Sequence, residues 1–555
     1  MNTPNPQGND MSSQMPLPED CVLPVMLDRR AAERPDEPFV LFDPEGDSWT
    51  FAETRRQGRR MAAALSRLGV RRGDRVVVWL PNSRDILRIH LGTGYLGAVF
   101  VPVNIAYRGA SLEHVIRDSG ADLMICHSDL VGRIIEETEL SKLTKMVIIG
   151  GDETCVAKIE QFREDVLRCE DEDFPEPVPA LQPWDVHCIC YTSGTTGLSK
   201  GVLCTHLHTT VLGRTNLKFC GQDDRFCLNL AYFHLAGPLI LLGTLAVGMS
   251  FVMQRAFQTK TFWDDLRRTG STCTYLMGSM STFLLKQPPR EDDRDNPLRY
   301  VWQQPLSHDH AEFSRRFGVT IYTQIDMTET TAAVGSGPIP TDRTMGTGYV
   351  GRLRETWPRY EARLVDENDC EVPVGKVGEL VVRCDVPWVI TPGYHERPDA
   401  TAAAWRNGWF HTGDMLRLDE NGDYYFVDRN KDSIRRRGEN ISSAELETEV
   451  LCHASVADAA AVAVKNELDD EEVLLIVSPS ANSTIDVLEL TNHLIARVPH
   501  YMVPRYVRVV PQMPYSDTNK IQKAKLREQG ITADTWDREA AGIKVKRELI
   551  GAGSA

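Results

Sequence analysis

Tyr191-Thr192-Ser193-Gly194-Thr195-Thr196-Gly197-Leu198-Ser199-Lys200-Gly201-Val202 gathers glycines, hydroxyl side chains and one lysine into a single stretch. Glycine lets a backbone come close to an anion and turn its N–H groups inward. Serine and threonine hydroxyls add donors, and Lys200 adds a charge. Together these residue types cradle a polyphosphate. The spacing is not that of a Walker A loop, G-x-x-x-x-G-K-[ST]. Counting from Gly194, Ser199 stands where the second glycine should be, and Gly201 comes after Lys200 where a Ser or Thr would hold magnesium. A plain Ser/Thr/Gly surface turn is the competing reading, and it leaves the combination of residue types unexplained.

Four further stretches could do chemistry. Ile325-Asp326-Met327-Thr328-Glu329 offers a carboxylate for a hard cation and a hydroxyl for a phosphate oxygen, and Thr328 before Glu329 would also suit a helix start. Trp409-Phe410-His411-Thr412-Gly413-Asp414 ends on a carboxylate able to accept from two hydroxyls, with a turn aspartate as the other reading. Ile434-Arg435-Arg436-Arg437-Gly438-Glu439-Asn440-Ile441 sets three arginines beside a glycine, apt for a phosphate-bearing partner though also compatible with a solvated basic patch. Pro514-Tyr515-Ser516-Asp517-Thr518-Asn519-Lys520 places a lysine in a polar loop.

These stretches fall on an alternating framework. Ala52–Leu68 and Ile86–Leu96 have helical spacing. Arg75–Leu80, Val99–Val103, Leu123–Cys126 and Met146–Ile149 read as buried strands. Alternation of this kind predicts a parallel sheet covered by helices. The run Val186–Tyr191 reads as a strand and Val202–His206 as the entry to a helix, so a strand–loop–helix phosphate site is expected. From Glu361 to Arg383, and again around Asp419–Val427, the texture turns to short strands joined by Asp/Asn/Gly turns. Beyond Lys431 the chain reads as a small α+β segment, with helices at Ser443–His453 and Val487–Arg497 and strands at Ala459–Val464, Val473–Val477 and Val507–Val510. The expected fold is therefore α/β. A large N-terminal domain (21–430) has parallel sheets and a β-rich subdomain. A small, mobile α+β lid (431–555) comes after it, and a loose tail (1–20) precedes both.

Composition bounds the alternatives. At 555 residues two domains are expected. A net charge of −16 disfavours nucleic acid and anionic membrane as partners. No apolar run approaches transmembrane length. The polar N-terminus lacks the marks of a signal peptide, and thirteen cysteines without framework spacing suggest free thiols, so a cytoplasmic protein is expected, alone or as a homodimer. Cys188-Ile189-Cys190 would put two thiols on one face of a strand, without a second pair for zinc.

The order Y-T-S-G-T-T-G-x-x-K-G resembles the phosphate loop of the adenylate-forming superfamily, which includes acyl-CoA synthetases, luciferases and peptide-synthetase adenylation domains. The other stretches keep that family's order, from about Leu23 to Lys525. The resemblance implies ATP, Mg²⁺ and coenzyme A as cofactors and a small-molecule carboxylic acid as substrate. It implies that Thr192, Ser193, Gly194, Thr195, Thr196, Gly197 and Lys200 hold phosphates, and that Glu329 binds the metal. Thr328 would touch the α-phosphate, Lys520 would be the catalytic lysine, and Asp414 and Arg429 would hold the ribose. Lys431 would be the hinge. Gly438 would line the pantetheine tunnel, with Arg435 contributing to thioester formation. His234 in Phe233-His234-Leu235-Ala236-Gly237 resembles the aromatic residue beside the acyl pocket, with a buried core histidine the other reading. Gln303 and Gln304 align with the pocket wall, and Ile325, Asp326 and Met327 with the adenine side.

There are departures. Ile325 replaces an aromatic ring, Asp326 a glycine, and Trp302-Gln303-Gln304-Pro305-Leu306 matches Gly-Gly-Ala-Pro-Leu only at its end. Ser516 and Asn519 stand for Thr and Gly. The phrase Ile434–Ser443 leans towards carnitine/crotonobetaine-type CoA ligases. The implied activity is acid–thiol ligation through an acyl-adenylate. An adenylation enzyme that loads a separate carrier protein is the alternative, and a non-catalytic nucleotide-binding protein a further one.

Overall fold

The computed structural model describes residues 15–134, 140, 142–152, 159–192, 199–307, 309–341, 345, 348–429, 433–437, 439–466, 470–480, 483–514 and 521–545. Val- and Ile-rich runs form the centres of two sheets. One has the strand order Glu160–Arg163, Lys145–Ile149, Leu123–His127, Arg75–Trp79, Val99–Pro102, Val186–Thr192, Lys200–Thr205. Its neighbours run parallel except the last pair. The other has the order Thr320–Tyr322, Tyr300–Gln304, Cys273–Met277, Arg225–Leu228, Ser250–Gln254, Pro38–Asp43, Ser48–Thr50, again parallel but for its final hairpin. Strands covered on both faces need continuous apolar runs, as Val76-Val77-Val78-Trp79 supplies.

Helices close these sheets. Thr50 caps Phe51–Arg67 through Glu53 N, and Ser83 caps Arg84–Leu96 through Ile86 N. Helices His206–Asn216 and Ala236–Val247 cross at Gly213 and Gly243. A Cβ at Gly213 would stand 2.4 Å from Leu239 O, so only glycine permits the approach.

A third, antiparallel sheet carries Gln324–Ile325, Val334–Gly335, Tyr349–Leu353, Tyr424–Arg429, Phe410–Leu418, Val377–Cys384 and Tyr360–Val365 in that order. The small C-terminal domain has its own core around Ile434, Leu446, Leu475 and Leu490. Its sheet runs Val456–Lys465, Glu471–Pro479, Tyr506–Val509, Trp536–Asp537, beside the hairpin Ser433–Arg436/Glu439–Ser442.

Three local expectations are corrected. Lys200–Thr205 is a strand antiparallel to Val186–Thr192, with Cys188 opposite Cys204, and the helix starts only at His206 behind the Thr205 cap. The glycine-rich loop thus joins two strands, because the residues after it pair antiparallel with the strand before it. Thr328 begins no helix; residues 328–330 form a turn that leads to Thr331 at φ 62°. The expected tail is already helical at Pro18–Cys21, where Cys21 is buried and its carbonyl accepts from Thr210. The boundary between 430 and 431 falls on residues outside those described, and it stands as a proposal.

Candidate active site

Residues 193–198 lie outside the described residues, so Ser193, Gly194, Thr195, Thr196 and Gly197 are not placed, whereas both ends of the loop are. Tyr191 donates to Asp118 at 2.7 Å, and His114 Nε2 meets the carbonyl of Ser199 at 2.7 Å. Both partners come from helix Gly109–Ser119, which pins the two ends of the loop. Thr192 pairs directly with Lys200. The Lys200 ammonium sits 5.0 Å from the ring centroid of Tyr394, and the Tyr394 phenol donates to Glu329 Oε1 at 3.0 Å.

Residues 391–395 are a strap between these parts. His395 N bonds Gly201 O, Leu203 N bonds Gly393 O, and Thr391 N bonds Glu329 O at 2.8 Å. Glu329 is thereby held as a buried carboxylate beside the loop's end. Burial and the Glu329 charge push the Tyr394 phenol far above its ordinary range, which keeps it a donor.

Asp414 is also buried, directly across from Arg429 in the antiparallel register. Thr412 and Asp414, two residues apart on one strand, line the same cavity, and Thr412 Oγ1 accepts from Asp414 N. Ile325, Asp326, Met327, Thr412 and Asp414 line one small cavity closed by Leu380 and Val382. The structure thus brings the 325–327 stretch and Asp414 together, as a nucleotide site needs.

Strand alternation separates the two glutamines. Gln304 shares a face with Met277 and donates to Gln324 O at 3.1 Å. Gln303 lies on the opposite face, fully buried, its Oε1 accepting from Ser307 N at 3.0 Å. Asp326 accepts from Gln324 Nε2 at 2.8 Å; burial raises its carboxyl pKa, against the Gln324 bond, the Arg435 charge and the Gln304 amide.

The C-terminal domain faces this region with its Ser433–Ser442 hairpin. Glu439 reaches His234 Nε2 at 3.2 Å, so His234 is a half-exposed interface residue and not a core histidine. Asn104 donates to Tyr501 at 3.3 Å, and Ser111 to buried Glu445, completing the contact between domains. The hairpin itself is bolted in place. Arg436 pairs with Glu472 at 2.6 Å, both buried, and donates to the carbonyls of Tyr501 and Val503, while Glu471 accepts from Arg435 N at 2.6 Å.

A model described as AMP-binding enzyme matches residues 27–395, and one for the AMP-binding enzyme C-terminal domain matches 445–520. The chain belongs to the AMP-binding enzyme family. A crotonobetaine/carnitine–CoA ligase from Salmonella arizonae is 29% identical over 514 residues, covering 90% of this chain and 98% of the relative. In fold, it matches a double mutant of the o-succinylbenzoate CoA synthetase of Bacillus subtilis with a TM-score of 0.76 at 23% identity, over 91% and 98% of the two chains. The amide bond synthetase of Marinactinospora thermotolerans matches with a TM-score of 0.77 at 23% identity, over 91% and 99%. The relatives bear out the resemblance to carnitine/crotonobetaine-type ligases.

Within this AMP-binding enzyme, Lys431, Gly438 and Lys520 lie outside the described residues, and of Arg429 only the backbone is described. Their roles stay proposals. Tyr394, His114, Asp118 and Glu472 were missed by reading the sequence, and Arg436, read as one of three arginines apt for a phosphate-bearing partner, is instead buried against Glu472. Pro392-Gly393-Tyr394 carried a turn signal that could have marked the strap. The others act through partners distant in sequence. Among the described residues no helix is long and apolar enough to cross a membrane, and no group of three or more His, Cys, Asp or Glu side chains could hold a metal.

Proposed function

We propose that the protein activates a carboxylic acid with ATP to an acyl-adenylate and then transfers the acyl group to coenzyme A, releasing AMP and pyrophosphate. The observation that carries this is the placement of the Arg435–Glu439 hairpin against His234, on the side of the site that holds Asp326. A lid that only bound nucleotide would have no use for a charged hairpin at the acid's end.

In the first half-reaction a carboxylate oxygen attacks the α-phosphorus and the bond to pyrophosphate breaks. Thr328, Lys200, the 193–197 hydroxyls and N–H groups, and Lys520 stabilise charge on the phosphate oxygens where it develops. Asp414 and Arg429 hold the ribose, and Ile325 and Met327 flank the base. Glu329 is a single buried carboxylate backed by a phenol donor, which suits magnesium held mainly by phosphate oxygens and water. When bound, that ion would neutralise phosphate charge. In the second half-reaction the thiol attacks the acyl carbon and AMP leaves. Gly438 lines its path, Arg435 receives its phosphates, and the small domain reaches this position by turning about Lys431.

ATP/pyrophosphate exchange over a broad acid panel, and then thiol consumption with coenzyme A, tests the reading. Acid-dependent exchange and acid-dependent loss of thiol are expected. Exchange with no acid at all would sink it.

A further inference from the structure

We propose that the acid activated here is a dicarboxylic acid, whose second carboxylate is received by Arg354, Lys218, Asn216 and Tyr275. This rests on the ligase reading above and names its substrate class. Ligands of open parallel sheets sit beyond the carboxyl ends of the strands. Met277, Gln304 and Gln324 stand side by side at those ends. Tyr275, Trp302 and Tyr322 continue the same face one step deeper, with Phe219 stacked on Tyr322 at 4.2 Å.

That deeper layer is rich in donors that no described residue satisfies. The Tyr275 hydroxyl is buried and has no hydrogen-bond partner among the described residues. Asn216, fully buried, accepts from Gln324 through Oδ1, while its Nδ2 has no partner among them. Leaving buried donors unpaired costs stability, and a bound acceptor removes that cost. Arg354 donates to Gln324 Oε1 at 2.9 Å and to the carbonyl of Ala332, yet no carboxylate of the described residues ion-pairs with it. Lys218 stands at the rim, its ammonium 4.7 Å over the Phe219 ring, likewise without an ion pair among the described residues. Burial first, and then the neighbouring Arg354 charge, pull the Lys218 ammonium down to about 8.

Asp326 is the one acidic group among the described residues that the network touches, and it decides against a cationic substrate. Its carboxylate already accepts from the Gln324 amide and lies near Gln304, Arg435 and Arg354 itself, so it offsets one of the two cations. Two cations against one satisfied carboxylate leave the wall positive. Tyr275 lies two residues behind Met277, about 7 Å deeper at strand rise. The reacting carboxylate belongs at the strand ends beside Thr328, so a short aliphatic or single-ring spacer would join the two acid groups.

The test is ATP/pyrophosphate exchange with α,ω- and aromatic dicarboxylic acids, their isosteric monocarboxylic acids, and a trimethylammonium carboxylate. Each is run on the full chain and on Arg354→Met and Lys218→Met. At least tenfold higher kcat/KM for a diacid than for its monoacid is expected. Arg354→Met should raise the diacid KM about 10–100-fold, the range of a charge-assisted hydrogen bond, and the monoacid KM by a much smaller factor. Lys218→Met, at the rim, should shift diacid KM in the same direction by a few-fold even if Arg354→Met folds poorly. Preference for monoacids or the betaine, or equal effects of both variants on diacid and monoacid, overturns the proposal alone. Failure of every acid overturns the ligase reading with it.

Discussion

The Tyr394 phenol donates to Glu329 Oε1 at 3.0 Å while the same ring carries Lys200 on its face, so one aromatic side chain couples the loop's lysine to the candidate metal carboxylate. Tyr394→Phe keeps the ring and removes the donor. Hydrogen bonds to charged groups contribute about 1.5–3 kcal/mol. Adenylation should therefore fall about 10–100-fold, with an increased magnesium requirement. Exchange rates titrated against magnesium check this; an unchanged magnesium midpoint would remove Tyr394 from the site.

Lys520→Ala is expected to lower adenylation roughly 10²–10³-fold, the effect of removing one preorganised donor to a charged transition state. Thioester formation from a supplied acyl-adenylate should stay near normal. Both half-reactions are measured on one folded sample. Adenylation within about twofold of the parent would make Lys520 an ordinary solvated lysine.

Much of the fold was legible in the sequence because its signals are local. Helix Val487–Arg497 appears at the bounds its periodicity sets, and Arg75–Trp79 and Lys145–Ile149 are strands as their apolar runs require. The strand Lys200–Thr205 was not legible. Its pairing with Val186–Thr192 spans the loop, and a short apolar stretch after a turn suits a strand or a helix equally. In the site, Glu329 and Asp414 carried their own motif, but Tyr394 acts only through the strap's contacts with Gly201, Leu203 and Glu329. Gln303 and Gln304 read alike in sequence, and only the sheet shows that they face opposite ways.

Four histidines cluster inside the large domain. His90 bonds Tyr232 at 2.8 Å and His187 at 3.4 Å, His187 bonds Thr209 at 2.8 Å and stacks on His206, and His208 is buried nearby. Burial holds His90 and His206 down to about 3 and His208 to about 4. Folded pKa values below the unfolded value of about 6.5 mean that the unfolded chain binds more protons. Stability is full above about pH 6.5 and falls as pH drops towards about 3, by about 1.4 kcal/mol per pH unit for each such histidine. Urea midpoints should drop from about pH 7 to about pH 5, and His90→Gln should flatten that slope. A midpoint independent of pH in this window would contradict the buried, neutral assignment.

Glu472 separates folding from positioning in the second half-reaction. Removing one partner of a buried ion pair costs about 3–5 kcal/mol, so Glu472→Gln should lower the melting temperature of the small domain. Arg436, left without its carboxylate, would no longer fix the Arg435–Glu439 hairpin against His234. Adenylation uses other residues and should hold within about threefold, while kcat for thioester formation falls by about tenfold or more. Glu472→Asp, keeping the charge, should recover part of the thioester rate at a similar melting temperature. Equal losses in both half-reactions, tracking stability alone, would show that the buried pair merely holds the domain together.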